Sequence, residues 1–486
     1  MKIRLQRLIP VLVLGIMGII EVPAQTTFNV VIKDTIYDHQ IMDAVELPSG
    51  NFIIVDVTNL NSTTTCARIL KIDTKGEVRQ QKNLTYEGLN STLFSVCRIS
   101  DNEFLCSGMV HYSGIDRLWI CSVDTSLNVL KEQILSLAGN YLVRSKVKTD
   151  SNNDLICFGT VEDNANIGTL HFFIYKLSVN LDSLYMKIFF DNWGVGLDLI
   201  ERNDHRGYYS AVLGVNPSGA AGNILSLDTS LNIRKIVHIA HDLNNFSSIA
   251  YTDQTHLIVT GEYSDNGIER DIGAVIYDTS FIENHFSYFG KTDTVDCPGL
   301  LQNIDLPDVN AINIAGTANF DFSGIFVSQD SWYFLNNFDT TLGLNWQKYY
   351  GGNGFYTLFG ILKTKDNGSL MYGTFWDFHN SQNFIRYLSL IKVDKDGLLL
   401  SINNDLTLMA HEAIIYPNPG SETLNVKTQL KNSIFILYDL TGKEVTHQNL
   451  APGPNTVIVQ KLQPGFYNYK IIQSSQVKEC GKWIKY

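Results

Sequence analysis

The sequence predicts an all-β protein, a seven-bladed β-propeller followed by a small C-terminal β-sandwich. Three observations carry this expectation. The chain holds 23 Tyr and 25 Phe, residues that favour pleated strands over helices. A strand-and-turn unit recurs seven times at roughly fifty-residue intervals. The pattern then stops after Asn404 and a different one begins at Ile414. At 486 residues the chain is too long for one ordinary core. With 44% hydrophobic and 18% charged residues it is also far from disordered composition. Lys+Arg 37 against Asp+Glu 49 gives −12, which argues against a nucleic-acid partner, since tracking phosphates needs a basic face.

The first element is a targeting segment. Lys2, Arg4 and Arg7 precede an apolar run from Leu8 to Ile20, followed by Val22-Pro23-Ala24. That order predicts a secretory signal peptide over residues 1–24, cleaved after Ala24. About thirteen apolar residues fall short of the roughly twenty that span a bilayer, so no transmembrane span is expected in the mature chain. Seven cysteines remain, Cys66, Cys97, Cys106, Cys121, Cys157, Cys297 and Cys480. They lack any close pairing motif, and most stand within apolar runs, as buried fillers do. The alternative is a disulfide among Cys97, Cys106 and Cys121.

The repeat occupies residues 25–404. Its marker is an apolar strand ending in a turn residue, at Asp73, Asp124, Ser178, Asp228, Asp278, Asp339 and Asp394, spaced 51, 54, 50, 50, 61 and 55 residues apart. A second apolar element runs about twenty residues ahead of each marker and commonly ends in Gly, as at Gly108, Gly159, Gly261 and Gly373. Each unit therefore holds four short strands, and four-stranded units of this length bury both faces by stacking around a ring. Phe28 to Lys33 matches only the fourth strand, so it is expected to complete the last blade. Six or eight blades, or an open solenoid, are the competing architectures. The repeated Asp-Thr is turn chemistry, in which the side chain bonds its own backbone and a glycine such as Gly76 or Gly397 supplies positive φ. The stretch from Asp339 through Trp346 and Tyr350 to Gly352 resembles blade-docking sequences of bacterial propellers, whose Trp wedges between neighbouring blades.

Residues 405–413 form a polar linker. Beyond it stand Tyr416-Pro417-Asn418-Pro419, Gly442-Lys443 after an apolar strand, Gly465-Phe-Tyr467-Asn-Tyr469-Lys470, and Gly481-Lys482-Trp483. Alternating short strands between Gly and Pro turns predict a sandwich on their own. Pro417 and Pro419 impose an extended entry. Together these blocks resemble the type A C-terminal sorting domain of the type IX secretion system, over residues 414–486. The resemblance implies recognition by an outer-membrane translocon, removal by a sorting peptidase, and release or attachment at the cell surface.

No hydrolase elbow, metalloprotease helix, phosphate loop or calcium loop occurs. His238 and His241, the one close histidine pair, have strand spacing that sends them to opposite faces. No catalytic residue, metal or cofactor is therefore expected. In propellers the loops after the fourth strand and between the second and third share one end. Here those loops place Trp193, Tyr350, Trp376, Asp377 and His379 as a candidate ligand face, with aromatic and polar groups suited to a sugar ring or peptide. The opposing expectation is that these aromatics pack between blades. The function expected is a secreted, surface-exposed binding or adhesion module for a glycan or protein ligand. An extracellular polysaccharide hydrolase or lyase, or a structural surface component, is the alternative.

Overall fold

The structure is a computed structural model that describes residues 26–34, 36–60, 64–190, 193–216, 219–264, 270–381, 383–399, 413–417, 419–428, 430–439, 442–473 and 476–486. The expected signal peptide and residues 405–412 of the expected linker lie outside them. The chain divides into two compact units, Met1–Ile402 and Asn403–Tyr486. Among the described residues no helix is long and apolar enough to cross a membrane.

The first unit is a succession of antiparallel sheets. Residues 38–84, 91–135, 141–189, 193–238 and 249–289 each form a four-stranded meander in sequence order. The sixth sheet, residues 297–351, departs from the expected four strands. Its leading edge is split into Cys297–Pro298 and Ile304–Asp308, both paired with Ala311–Ala318. The segment between them turns away to pair with the next sheet, Leu301 N–H donating to Phe359 C=O at 2.8 Å. The seventh sheet joins Phe355–Lys363, Ser369–Trp376 and Tyr387–Val393 to the N-terminal strand Phe28–Ile32, with Phe28 opposite Lys392 and Ile32 opposite Leu388. The N-terminal strand thus takes the place its sequence predicts.

Burial follows strand position. Second and third strands are buried on both faces, as in Phe52–Asn59 and Ser369–Trp376, because a neighbouring sheet covers each side. Fourth strands such as Val78–Leu84 are exposed along most of their length, which explains their polar sequence. Five of the six described cysteines are buried among these strands, and all six are free thiols.

The marker residues make the turns that the sequence predicts. Asp124 accepts backbone N–H bonds from Ser126 at 2.9 Å and Asn128 at 2.8 Å, and Asp228 does the same with Ser230 and Asn232. Ser178 substitutes its hydroxyl in the third sheet. The positive φ is less often glycine than expected. Gly76 and Gly397 supply it at two turns, but Leu127, Leu181, Leu231, Phe281 and Leu342 adopt φ of 60, 71, 58, 66 and 62°. A non-glycine residue there costs about 1–2 kcal/mol. Burial of the four leucines, from 0 to 6% exposed, offsets that cost at about 1.5–3 kcal/mol each. Gly397 meets a second demand, since a Cβ there would lie 2.7 Å from the ring of Trp346 on the preceding sheet. The Trp does pack against the neighbouring unit.

The leading strands carry a polar belt. Register shifts fall at Ile41/Asp43, Leu93/Ser95 and Gly196/Asp198, and each turns a polar side chain toward the next sheet. Asp43 accepts from Val96 N–H at 3.0 Å, and Ser95 from Val147 N–H at 3.3 Å. Lys148 donates to Asp198 at 2.7 Å, which accepts from Ile249 N–H at 3.1 Å. Ser248 accepts from Asn303 N–H, and Thr317 from Leu358 N–H. Tyr372 of the seventh sheet donates to Asp43 at 3.0 Å, so the circuit returns to where it began.

The second unit has two sheets. Ala413–Tyr416, Thr423–Thr428 and Gly453–Ile458 form one, and Ser433–Tyr438, Glu444–Leu450, Gly465–Gln473 and Gln476–Lys485 the other. They share one core. Leu424, Val426 and Val457 come from the first, and Phe435, Leu437, Tyr467, Tyr469, Ile471 and Trp483 from the second.

Candidate functional site

The extra length that spaces Asp278 from Asp339 lies largely in two loops of the sixth sheet. Residues 290–296 lead into the sheet and 319–331 join its second and third strands. Asp296 organises both. Fully buried, it accepts hydrogen bonds from Lys291 N–H, the Thr294 hydroxyl at 2.8 Å and Asn319 N–H at 2.9 Å. Burial pushes its carboxyl above the ordinary range despite these donors. The fifth sheet is tied in through Asp296 N–H, which donates to Arg270 C=O at 2.7 Å. Asn319, at φ +58°, exchanges bonds with the far end of its own loop: its amide donates to Asp330 C=O and its carbonyl accepts from the Gln329 amide, both at 2.8 Å.

These contacts frame an open cavity of about 520 Å³ lined by Arg270, Asp293, Thr294, Asn319, Phe322 and Gln329, among others. The Arg270 guanidinium lies 4.5 Å from the centroid of the Phe322 ring and 3.0 Å from Glu262. A guanidinium held over an aromatic face keeps its charge while its flat surface is covered. Phe322 is 42% exposed. The cavity therefore offers a cation, an aromatic face, a carboxylate and two amides. That set suits a hydroxyl-rich or partly anionic ligand with a flat apolar side.

The residues expected to form the ligand face divide. Trp376, Asp377 and His379 do come together, on the loop between the second and third strands of the seventh sheet, and His379 Nε2 pairs with Asp330 at 2.7 Å. Trp376, however, is buried, its indole N–H donating to Asn383 C=O at 3.0 Å and its ring stacked on Phe384. Asp377 is also buried and accepts from the Asn380 amide at 2.9 Å, closing its own turn. Tyr350 stands apart, buried with its hydroxyl donating to Gly397 C=O at 2.7 Å. Trp193 opens the strand Trp193–Glu201, and its side chain is outside the described residues, as are Asp191 and Asn192. Arg270, Phe322 and Asp293 were not among the expected residues. The signal for Asp293 and Phe322 was the 61-residue spacing from Asp278 to Asp339, which marked inserted loops in that unit; Arg270, which precedes it, had no such signal. His238 and His241 engage separate partners, Asp242 and Glu283. Among the described residues no group of three or more His, Cys, Asp or Glu is placed to hold a metal ion.

In the second unit the motif residues mostly serve the fold. Pro417 C=O accepts from the Trp483 indole at 2.9 Å, and Gly442 takes φ +82° in the turn that Asp439 closes on Lys443 N–H. Tyr467 is buried and donates to Gln463 C=O at 2.7 Å, and Gly465 opens its strand. Pro419, Lys443 and Lys470 are exposed. Asn418 lies outside the described residues, as do the side chains of Gly481 and Lys482. Residues 414–486 match the secretion system C-terminal sorting domain. The chain carries a type IX sorting domain, and with it the instruction for export across the outer membrane to the cell surface or the extracellular space.

No curated protein matches the chain. Solved structures with similar folds include the β-propeller domain of the Trilobed protease from Pyrococcus furiosus, at 11% identity and a TM-score of 0.43, covering 76% of this chain and 99% of that one. A protein of unknown function from Dyadobacter fermentans DSM 18053 superposes at 8% identity and TM-score 0.45, covering 75% and 97%. The polysaccharide lyase Uly1 does so at 9% and 0.45, covering 73% and 90%. None of these similarities bears on what the chain binds.

Proposed function

We propose that residues 25–404 form a closed seven-bladed β-propeller, that residues 414–486 form a β-sandwich read by the type IX translocon and its sorting peptidase, and that the exported protein is a binding module for an extracellular ligand. The belt that returns from Tyr372 to Asp43 supports the closed ring. The binding reading rests on the Arg270–Phe322 cavity, where a half-exposed ring carries a guanidinium also paired with Glu262, and where the buried Asp296 ties the two surrounding loops together. Aromatic faces and planar cations of this kind contribute most of the energy at recognition sites. The ligand class is a glycan or a polar peptide, and the loops around His379 extend the same surface.

The experiment is to pass the exported form over arrayed polysaccharides, peptides and glycoproteins, recording retention and any release of fragments together. Retention that Arg270→Ala and Phe322→Ala each weaken supports the reading. Retention indifferent to both variants, or fragment release, overturns it in favour of another face or of catalysis.

A further inference from the structure

The leading strands of the first unit enclose a second cavity, of about 210 Å³, whose lining includes Asp43, Ser95, Arg98, Lys146, Lys148 and Gln302. It draws residues from the first, second, third, sixth and seventh sheets, so it lies on the axis around which the belt runs. Its volume equals about seven water molecules, too small for the glycan considered above.

The charges facing it do not balance locally. Asp43 is fully occupied: Tyr372 O–H and Ala44 N–H donate to one oxygen, and Ser95 O–H and Val96 N–H to the other. Asp198 is likewise taken, by Lys148, Leu199 N–H and Ile249 N–H. Lys146 is left with a single neutral partner, the carbonyl of Leu301 across the channel. Among the described residues no carboxylate pairs with it. Arg144 stands two residues before it on the same side of the strand and donates to Gly196 C=O at 2.8 Å, adding a third cation to that strand. Arg98 contributes a fourth, exposed to solvent along one edge. A half-buried ammonium whose neighbouring carboxylates, Asp43 and Asp198, are already saturated by other donors, beside a polar void, is a costly arrangement. It becomes favourable when an anion fills the void.

We propose that the axial cavity binds a small oxyanion, a carboxylate or a phosphate, with Lys146 as its principal partner and Arg98 at its edge. Burial depresses the Lys146 ammonium to about 8, with Asp198 and Asp43 opposing and Lys148 and Arg144 reinforcing the shift. Lys146 therefore loses its charge on the alkaline side of neutrality, and affinity should fall with it.

The test is calorimetric titration of the full exported chain with inorganic phosphate and with malonate, both series run from pH 6.5 to 9.5. Binding of either anion at pH 6.5 is expected, weakening at least about tenfold by pH 9.5 as Lys146 deprotonates. Lys146→Met, which keeps the aliphatic stem and removes the charge, should abolish it, and Arg98→Gln should weaken it several-fold. Binding of one anion and not the other identifies the class. Absence of heat with both, or an unchanged affinity in Lys146→Met, overturns the proposal. Should that variant fail to fold, the pH series on the unaltered chain decides, since a pH-independent affinity is incompatible with Lys146 as partner.

Discussion

The second and sixth sheets are two versions of one unit, and they differ in the loop between their second and third strands. In the second, Glu103–Tyr112 and Ile115–Asp124 are joined by two residues, Ser113 and Gly114, with φ of +54 and +80°. This is the tight turn that matches strand twist. In the sixth, Ala311–Ala318 and Trp332–Phe338 are joined by residues 319–331. The central strands are nonetheless buried over most of their length in both. Sheet stacking fixes the strands and leaves the interval between them free to vary in length.

The largest expected effect is on the shared part. Trp119, fully buried with its indole donating to Glu132, should cost about 3–5 kcal/mol when replaced by Ala, read as a lower denaturation midpoint. A smaller effect separates two buried leucines of the second sheet. Leu118→Gly loses burial alone, whereas Leu127→Gly also relieves a positive φ, so it should be milder by about 1–2 kcal/mol. Equal losses would show that the turn is unstrained. Phe322→Ala in the long loop should change stability by no more than about 0.5 kcal/mol while removing ligand retention. Replacing residues 319–331 with an Asn-Gly turn should also remove retention but cost more stability, by about 1–3 kcal/mol for each buried group left unpaired, because it strips Asn319 N–H from Asp296 and the Ser331 hydroxyl from Tyr356.

The finest contrast is in acid. At Asp124 the backbone N–H of Asn128 is the chief cause holding the carboxyl below its ordinary value. The stabilisation it gives is present above the ordinary range and is lost as pH falls through the lowered value. Asp296 is shifted the other way by burial, so its carboxylate is least comfortable at neutral pH. Asp124→Asn should therefore flatten the loss of stability below about pH 4, whereas Asp296→Asn should leave that limb unchanged and alter stability near neutrality instead.

The strand repeat, the marker turns and the N-terminal strand in the last sheet were legible because each is a local pattern that the whole fold reinforces. The leucines at positive φ were not, because sequence rules expect glycine there and only tertiary burial overrides them. Of the residues expected on the ligand face, Trp376 ends the strand Ser369–Trp376 and Asp377 and His379 follow in the loop after it. Whether an aromatic ring faces outward depends on what packs above it, as Phe384 does over Trp376, and periodicity carries no such information. Lys146 was illegible for the same reason: its partner is a backbone carbonyl 155 residues away.

One pairing governs how the molecule can be assembled in time. Phe28–Ile32 lies against Tyr387–Val393, so this strand must wait for nearly the whole unit to be made before it finds its partner. Contacts so distant in sequence are slow to form. Until then the seventh sheet presents an open edge, and open edges recruit other chains. Keeping the two strands apart leaves that edge unpaired.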